Sequence, residues 1–407
     1  MSGILFLGHR LPFPPDRGDK IRSYHVLKAL AKLAPVHVGC FAETAADRVN
    51  ERWLAGLADS HCMPLRAKPL ALAGLEALAR REPVSLAAFR HEQLARWVHA
   101  TLARGDIDTL YVFSGQMGQY VPREWRGRLV VDLVDVDSAK FEAYAGEARG
   151  AARWVHAREA RLLRREEARL AARAERTLLV SEAEAALLRS RIPPGARIEA
   201  LGNGIDAAAF DPRAVTPQPA LKATAGPHLV FTGQMDYSPN AEAALRVIER
   251  ILPAIRTVHP QATFHVVGRA PTSELSMHDG SPGVRVWGEV PDVRPFLAAA
   301  DLVLAPLTIA RGVQNKVLEA MAMARPVMLT PGAATGIDAN DGEQYAIADS
   351  DAELAGRSLA LLADPAAAQA MGASARRFVV ERMSWPAMLA RLPEIVGRDP
   401  AEQRDAA

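Results

Sequence analysis

A chain of 407 residues exceeds the usual size of a single hydrophobic core, so roughly two to three domains are expected. A net charge of +2, with 49% hydrophobic and 24% charged residues, is typical of a globular protein and excludes binding of nucleic acid through overall positive charge. The two cysteines, Cys40 and Cys62, form neither a metal-ligand spacing nor a disulfide framework. Because no apolar run approaches the roughly 18 residues that cross a bilayer and no signal-peptide features are present, we expect a cytoplasmic protein.

Short apolar runs alternate with helical patterns along the first half of the chain, as they do in βαβ units. The predicted strands are almost continuously apolar, as strands buried on both faces are, and comprise residues 4–7, 36–41, 109–113, 129–133 and 177–180. This pattern predicts a Rossmann-like N-terminal domain over residues 1–206. A proline-rich stretch without periodicity follows, so residues 207–226 are predicted to be a linker.

The alternation resumes after this stretch, with predicted strands at residues 228–232, 263–267, 284–287, 302–305 and 326–329. It predicts a second Rossmann-like domain over residues 227–384, and we expect the chain end, residues 385–407, to pack as a helix on the first domain. The predicted fold class is therefore α/β, with two doubly wound domains facing each other across a cleft. Ligands of such sheets bind beyond the carboxyl ends of the strands, so the cleft is the expected binding site.

A glycine loop opens a predicted helix at residues 312–322, and a turn and a buried strand follow. The N-terminus of a helix presents unpaired N–H groups and the positive end of the helix dipole, so this segment is suited to bind an anion. Lys316 adds a positive charge in the first turn, and Glu319 lies on the same helical face. A nucleotide-diphosphate-sugar would match this cation and carboxylate. An amphipathic surface helix with a chance Lys–Glu pair is the alternative.

Several segments together resemble the GT-B glycosyltransferases of the retaining family called family 4, over most of the chain. This resemblance rests on residues 231–235, 266–269, 288–290, 305–307, 315–316 and 326–327. A narrower resemblance, to the sugar transferases associated with bacterial exopolysaccharide and PEP-CTERM/exosortase systems, rests on residues 12–23, 132–138 and 236–240. The implied fold is GT-B. The implied activity is that of a hexosyltransferase, which moves a sugar from a UDP- or GDP-sugar to a hydroxyl acceptor with retention at the anomeric carbon and without an obligatory metal or other cofactor.

The resemblance also implies roles for individual residues. Preorganised positive charge stabilises a departing diphosphate, and Lys316, Arg269 and the backbone amides of Val317 and Leu318 would supply it. Glu319 would accept hydrogen bonds from the ribose hydroxyls. The other residues implied at the sugar donor are Gly18, Gly233, Arg311 and Asn315. Arg311 stands where relatives often have the first glutamate of a Glu-x7-Glu pair, so the usual contact with the donor sugar is missing. Arg311 could serve the phosphates instead or be a solvated loop cation.

The loop after the first strand is expected to face the donor phosphates, as a small-residue loop does in the family. Gly18 would let its backbone approach a ligand closely, because it has no Cβ. We expect Asp19 to cap the helix that follows and to lie beside the cleft, and we expect Lys20 and Arg22 to contact anions. An ordinary βα turn is the alternative.

An acidic cluster, Asp132, Asp135 and Asp137, follows a buried strand, in a region where many relatives have a histidine. Asp135 and Asp137 are expected at the carboxyl end of that strand, as candidates for catalytic contact with the acceptor or the donor sugar. Asp135-Val136-Asp137 also matches the Asp-x-Asp metal motif of the GT-A fold, but two Rossmann-like halves disfavour that fold, and no metal site is predicted. Alternatively, the aspartates cap the next helix together with Ser138.

Two other functions remain compatible with the sequence: a non-catalytic sugar-nucleotide-binding scaffold of a polysaccharide synthase complex, and a GT-B nucleotide-sugar epimerase. A nucleic-acid partner is disfavoured, because no basic–aromatic pattern is present. The arginine-rich stretch between Arg149 and Arg176 predicts a solvated helix packed on the N-terminal sheet. With a lipid-linked acceptor, the same stretch suggests peripheral attachment to the inner face of the cytoplasmic membrane.

Overall fold

The computed structural model describes residues 2–308 and 312–398 and has an α/β fold with two parallel sheets. The chain divides into two compact units. One contains the residues up to Asn203 together with the chain end from Met388, and the other contains residues 204–387. Arg311, predicted at the sugar donor, and residues 399–407 of the predicted C-terminal helix lie outside the described residues.

The strands of the described residues are β1 (Gly3–Gly8), β2 (Val36–Gly39), β3 (Ser60–Cys62), β4 (Ile107–Phe113), β5 (Arg128–Val134), β6 (Arg176–Leu179), β7 (Ile198–Ala200), β8 (His228–Thr232), β9 (Thr263–Val267), β10 (Val284–Gly288), β11 (Leu302–Ala305), β12 (Val327–Leu329) and β13 (Ala346–Ile347). The first sheet has the order β3-β2-β1-β4-β5-β6-β7, and the second has the order β10-β9-β8-β11-β12-β13. In both sheets the first strand lies near the centre, and the next two strands lead to one edge. The later strands are then added on the other side of the first strand, which is the topology of doubly wound folds.

The α-helices are α1 (Gly18–Leu30), α2 (Glu51–Ala55), α3 (Leu70–Arg80), α4 (Val84–Ala88), α5 (Glu92–Leu102), α6 (Asp137–Glu147), α7 (Gly150–Arg173), α8 (Glu182–Arg191), α9 (Pro219–Lys222), α10 (Ser238–Arg246), α11 (Leu252–Val258), α12 (Ser273–Ser276), α13 (Arg294–Ala299), α14 (Asn315–Ala322), α15 (Asp351–Ala363), α16 (Pro365–Phe378), α17 (Trp385–Met388) and α18 (Leu392–Ile395). Two π-helical segments, Val247–Ile251 and Val379–Met383, continue α10 and α16. Among the described residues, no helix is both long and apolar enough to cross a membrane.

The core of the first unit explains why its central strands read as continuous apolar runs. Residues 4–7 of β1 are completely buried, because helices cover both faces of the sheet. Leu94 of α5, Leu170 of α7 and Leu188 of α8 are also completely buried and belong to one cluster with Leu5 and Leu7. Burying a leucine contributes about 1.5–3 kcal/mol, so these layers supply much of the stability of the unit.

The stretch predicted as a linker and the chain end each pack within one of the two units. The stretch 207–226, predicted as a linker, lies in the second unit and contains α9, whose Leu221 is completely buried in the core of that unit. The chain end packs within the first unit through ion pairs. Arg391 Nη2 lies 2.6 Å from Glu199 Oε2, and Arg398 Nη2 lies 2.7 Å from Asp108 Oδ1.

Candidate functional site

Helix α14 of the second unit begins after Gly312, which has a φ of +68° that favours glycine. Gln314 is the N-cap residue, and its carbonyl oxygen accepts from the amides of Val317 and Leu318 at 3.0 and 3.3 Å. These two amides therefore already have acceptors within the first turn, which differs from the prediction that they face a ligand. The amides of Asn315 and Lys316, earlier in the turn, are better placed to receive an anion.

Lys316 is held in place by neighbours from other parts of the second unit. Its Nζ donates to Asn240 Oδ1 of α10 and lies 4.8 Å from the centre of the Phe231 ring of β8. Burial lowers the pKa of Lys316 to about 8, and the negative charge of Glu319 opposes this shift. An anion that approached Lys316 would favour its charged form and raise this pKa again.

Glu319 lies one turn after Lys316 on the same face of α14. Burial raises the pKa of Glu319 to about 7, and the charge of Lys316 opposes the shift. A carboxyl group that is partly withdrawn from water next to a half-buried cation is unusual for a surface helix. The paired shifts of opposite sign are typical of functional sites, although buried structural pairs also produce them.

Two glycines bring the loops after β8 and β9 together beside Lys316. Gly268 has a φ of +154°, and a Cβ on it would lie 1.6 Å from the carbonyl oxygen of Gly233. A Cβ on Gly233 would lie 3.1 Å from Lys316 Nζ and 2.9 Å from Asn240 Nδ2. Gly233 is thus placed beside the predicted cation, and Gly268 requires glycine because the Gly233 backbone approaches it so closely.

The other residues predicted at the sugar donor are more exposed. Arg269 follows Gly268, and its Nη2 donates to Gln234 Oε1 at 2.7 Å on the surface. Asn315 is the first residue of α14 and is exposed. The structure therefore brings together Gly233, Lys316 and Glu319, with Arg269 in the adjoining loop.

In the first unit, the predicted roles of the loop after β1 need correction. Gly18 is the first residue of α1, and a Cβ there would meet no atom within 4 Å, so no neighbour in the unit requires glycine. Asp19 does not cap α1, because Arg17 is the N-cap residue and makes no side-chain cap hydrogen bond. Instead, Asp19 Oδ2 lies 2.5 Å from Arg10 Nη1 and 3.2 Å from His9 Nε2. These hydrogen bonds lower the pKa of Asp19 well below its ordinary value despite partial burial.

The two basic residues that were expected to contact anions have internal partners. Arg22 is completely buried, and its guanidinium donates to both carboxylate oxygens of Asp132 at 3.1 Å. The same side chain donates to the Leu201 carbonyl oxygen at 2.7 Å. Lys20 is buried 3.8 Å from Asp47. These positions make both side chains parts of the structure rather than open contacts for a ligand.

The acidic cluster separates into a buried residue and an exposed pair. Asp132 is completely buried and accepts from Arg22 and from Tyr111 Oη, and burial raises its pKa. Asp135 and Asp137 follow β5 and are partly exposed, at 3.9 and 3.1 Å from Lys140 Nζ. The prediction that these two lie beyond the carboxyl end of the strand agrees with this geometry.

The alternative that the aspartates cap α6 is wrong. The backbone amide of Val136 donates to Glu184 Oε2 at 2.7 Å, and the amide of Ser138 donates to Glu167 Oε1 at 2.8 Å. Two glutamates from α8 and α7 therefore supply the acceptors that this helix N-terminus needs. Asp135 and Asp137 remain available for other contacts. Among the described residues, no group of three or more His, Cys, Asp or Glu side chains is arranged to hold a metal ion.

Sequence reasoning missed the strained backbone at this edge of the first sheet. Ser114 after β4 and Val134 at the end of β5 have φ values of +78° and +69°. A β-branched residue rarely adopts a positive φ, and such strain concentrates at functional sites. No sequence signal marks Val134. Asn240 is the third residue of α10, after the N-cap residue Tyr237, and contacts Lys316.

Comparisons with known proteins agree with this geometry. Residues 226–364 match the family model described as glycosyl transferases group 1. No curated protein gave a match. Among solved structures, Anabaena HepE in complex with UDP-glucose matches with a TM-score of 0.60 and 17% identity over 100% of both chains. Sucrose-phosphate synthase from Thermosynechococcus elongatus matches with a TM-score of 0.60 and 16% identity over 100% of both chains.

A third solved structure, WaaG, a glycosyltransferase involved in lipopolysaccharide biosynthesis, matches with a TM-score of 0.54 and 17% identity, over 97% of this chain and 100% of that chain. At such identities the similarity establishes the fold. The family model covers most of the second unit, including Gly233, Lys316 and Glu319. Residues 226–364 are therefore similar to the group 1 glycosyl transferases, within a chain that has the fold of the GT-B glycosyltransferases.

Proposed function

We propose that this glycosyltransferase transfers a hexosyl group from a UDP-sugar to a hydroxyl acceptor, with retention at the anomeric carbon, in the synthesis of a bacterial surface glycan. The observation that carries the proposal is the position of Lys316, a half-buried cation in the first turn of α14 that Asn240 and Phe231 hold beside Gly233. The choice of UDP is supported by Anabaena HepE, whose structure contains UDP and glucose. A GDP-sugar is the alternative donor.

The chemistry requires the bond between the anomeric carbon and the diphosphate oxygen to break while the acceptor oxygen bonds to the same carbon. Negative charge develops on the leaving diphosphate, and the acceptor proton must pass to a base, for which a diphosphate oxygen is suited. Lys316 and the amides of Asn315 and Lys316 would stabilise this charge, which is where preorganised positive groups lower a barrier most. Arg269 would add a second cation from the neighbouring loop, where it is exposed and donates to Gln234.

Glu319 would hold the nucleoside part of the donor by accepting from the ribose hydroxyls. An ionised carboxylate accepts these hydrogen bonds most strongly, and the nearby Lys316 favours its ionised form. In the first unit, Asp135 and Asp137 would orient the acceptor hydroxyl or the transferred sugar. Their partial exposure and their pairing with Lys140, itself partly exposed, suit that role better than a structural one.

The first test compares UDP and GDP as ligands of the purified chain by thermal shift and calorimetry. We expect UDP to stabilise the protein, by about 2.7 kcal/mol at 100 times its dissociation constant, and GDP to do so less.

The second test measures UDP release from UDP-hexoses in the presence and absence of extracted bacterial glycolipid acceptors. We expect the release of UDP to depend on the acceptor. The NMR spectrum of the product should show the same anomeric configuration, axial or equatorial, that the sugar had in the donor.

Each competing function gives a different result in these assays. A scaffold binds UDP-sugars and releases no UDP with any acceptor. An epimerase changes the sugar without consuming acceptor. A product with inverted anomeric configuration contradicts the retaining mechanism while leaving the transfer reaction intact.

A further inference from the structure

Helix α3 of the first unit presents its leucines to solvent. Four leucines on this helix are among the most exposed apolar side chains of the described residues, with 51–69% of their surface accessible: Leu70, Leu72, Leu75 and Leu78. The side that packs on the protein carries only small residues, and Ala73 and Ala77 are completely buried there. This arrangement is the reverse of an ordinary amphipathic helix, whose large apolar residues face the core.

The exposed leucines cannot be explained as a loosely attached helix. Arg158 Nη2 of α7 donates to the Ala77 carbonyl oxygen at 2.8 Å and to the Glu82 carbonyl oxygen at 3.1 Å, which fixes the end of α3. Glu159 of α7 accepts from the amides of Val84 and Ser85 at 2.8 and 3.0 Å, which fixes the start of α4. The helix is therefore anchored with its leucines pointing outward.

Two more exposed apolar side chains lie on α7, the helix that anchors α3 through Arg158. Trp154 is 61% exposed and Val155 is 45% exposed, and both lie one turn before Arg158, on the side of α7 that reaches α3. We call the six side chains of α3 and α7 the leucine face: Leu70, Leu72, Leu75, Leu78, Trp154 and Val155. Contiguous exposed apolar surfaces mark interaction sites, and an exposed tryptophan beside leucines is typical of segments that lie at a lipid–water interface.

The charges around the leucine face are predominantly positive. Residues 66–90 contain five basic and two acidic side chains. Four of these basic side chains form ion pairs with glutamates, and the five basic and two acidic residues leave the segment a net charge of +3 (5 − 2): Arg66 pairs with Glu43, Lys68 and Arg80 with Glu76, and Arg90 with Glu82. Arg81 ends α3 and is exposed, and Arg153 precedes Trp154 and is exposed. The rim of the face therefore attracts an anionic surface.

The arginines farther along α7 are less suited to this role than the sequence suggested. Four of them, Arg158, Arg164, Arg169 and Arg173, donate to acceptors within the first unit, and so does Arg176 at the start of β6. Their charges serve the packing of the unit. The leucine face combines apolar side chains that are open to solvent with the exposed Arg81 and Arg153 on its rim.

We propose that the leucine face docks the protein on an anionic lipid bilayer, with the leucines and Trp154 in the headgroup region. A second copy of the chain is a poorer occupant, because two identical faces would bring their basic rims together. Anionic headgroups complement that rim, and each basic residue close to such a surface strengthens binding roughly fivefold. The inference goes beyond the proposed transfer reaction, since docking on lipid requires neither the sugar donor nor turnover.

The test uses the full chain and two kinds of vesicle, phosphatidylcholine alone and phosphatidylcholine mixed with phosphatidylglycerol. We expect the wild type to co-sediment with the anionic vesicles and to dissociate as salt is raised. The double variant Leu72→Gln/Leu75→Gln should bind at least about tenfold more weakly, because it removes apolar surface that would leave water. The matched control Val258→Gln/Met277→Gln changes two side chains of the second unit that are equally exposed and should bind like the wild type.

Three outcomes would overturn the proposal: no binding of the wild type to anionic vesicles at low salt, equal binding to both vesicles, or undiminished binding of the Leu72/Leu75 variant. A soluble dimer that this variant dissociates would assign the face to a second copy instead. The thermal shift with UDP, measured on the same variants, separates this inference from the proposed function. Loss of vesicle binding with an unchanged UDP shift concerns the leucine face alone.

Discussion

Lys316 and Asn240 meet beside Gly233, although 76 residues separate them in the sequence. Lys316 Nζ donates to Asn240 Oδ1, and Asn240 Nδ2 donates to the Gln234 carbonyl oxygen at 2.8 Å. The buried amide of Asn240 thus joins the loop after β8 to the cation of α14. Such an arrangement orients the ammonium group before a ligand arrives, which reduces the entropy cost of binding.

Replacing Lys316 by glutamine should weaken UDP binding far more than uridine binding. Hydrogen bonds to charged groups contribute about 1.5–3 kcal/mol, so we expect at least about a tenfold loss for UDP. Uridine lacks the diphosphate and should bind the variant and the wild type alike. Isothermal titration calorimetry measures both affinities, with the exposed Lys222→Gln of the same unit as the control. Unchanged UDP affinity in Lys316→Gln would remove this residue from the site.

Gly268→Ala should disrupt the contact between the loops after β8 and β9. The added Cβ would collide with the Gly233 carbonyl oxygen, and the φ of +154° is one that alanine rarely adopts. We expect the variant to lose at least about 2 kcal/mol of unfolding free energy, together with UDP binding.

The control for this prediction is Gly356→Ala in α15, where a Cβ would meet no atom within 4 Å. Alanine in a helix interior is favoured over glycine by about 0.5–1 kcal/mol, so this variant should be slightly more stable than the wild type. Chemical denaturation of both variants measures the two changes, and equal effects in the two would refute the proposed crowding at Gly268.

Glu319→Gln should change how stability depends on pH in the absence of ligand. Burial raises the pKa of Glu319 to about 7 from the ordinary value of 4.5, so the folded state holds this proton more tightly. A raised pKa of the folded state contributes stability that is complete below about pH 4.5 and is lost as the pH rises through about 7. As the pH rises from about 5 to about 8, the unfolding free energy of the variant should therefore increase relative to that of the wild type by on the order of 2 kcal/mol.

The upper end of that window is set by Lys316, whose pKa is lowered to about 8 and which begins to titrate there. Urea denaturation at several pH values measures the difference, and the exposed Glu249→Gln serves as the control. Parallel pH profiles for Glu319→Gln and the wild type would contradict the raised pKa.

The central strands could be predicted from the sequence because each one is buried on both faces. Residues 4–7 of β1 are all apolar, and the predicted runs of β4 and β5 are apolar apart from Thr109 and the buried Asp132. The edge strands β3 and β7 could not, because each has only three residues and is partly exposed. The hydrophobic pattern of a sequence reflects which side chains are buried. An edge strand is held in the sheet mainly by backbone hydrogen bonds, which the side-chain pattern does not reveal.

The candidate site divides in the same way between local and distant relationships. Lys316 and Glu319 are three residues apart, so helical geometry alone predicts their shared face. The pairing of Arg22 with Asp132 spans 110 residues, and the sequence suggested an anion contact for one and a place in the acidic cluster for the other. Charged residues near a glycine loop look alike in a sequence, whether they bind a ligand or neutralise each other in the core.

Arg22→Gln should destabilise the first unit strongly. The substitution leaves the completely buried Asp132 without its cation, and breaking a buried ion pair in this way costs about 3–5 kcal/mol. Arg80→Gln is the control in the same unit, because it breaks the pair of the exposed Arg80 with Glu76, which is worth less than about 1 kcal/mol. Thermal denaturation compares the two, and a small effect in Arg22→Gln would show that Tyr111 or water satisfies the carboxylate.

Asp135→Asn and Asp137→Asn should lower turnover without a matching loss of UDP affinity. The two carboxylates flank Lys140 beyond the end of β5, next to the strained Val134, whereas Lys316 and Glu319 belong to the second unit. A residue that acts on the acceptor or the transferring sugar affects kcat, and binding of the nucleotide part is preserved. We expect kcat to fall at least about tenfold in one of the two variants, while the UDP dissociation constant stays within about twofold. The exposed Asp106→Asn of the same unit should leave both quantities unchanged.

Activity of the wild type should also persist in EDTA, because Lys140 supplies the positive charge between the two aspartates. Activity that EDTA abolishes and manganese restores would assign Asp135 and Asp137 to a metal instead.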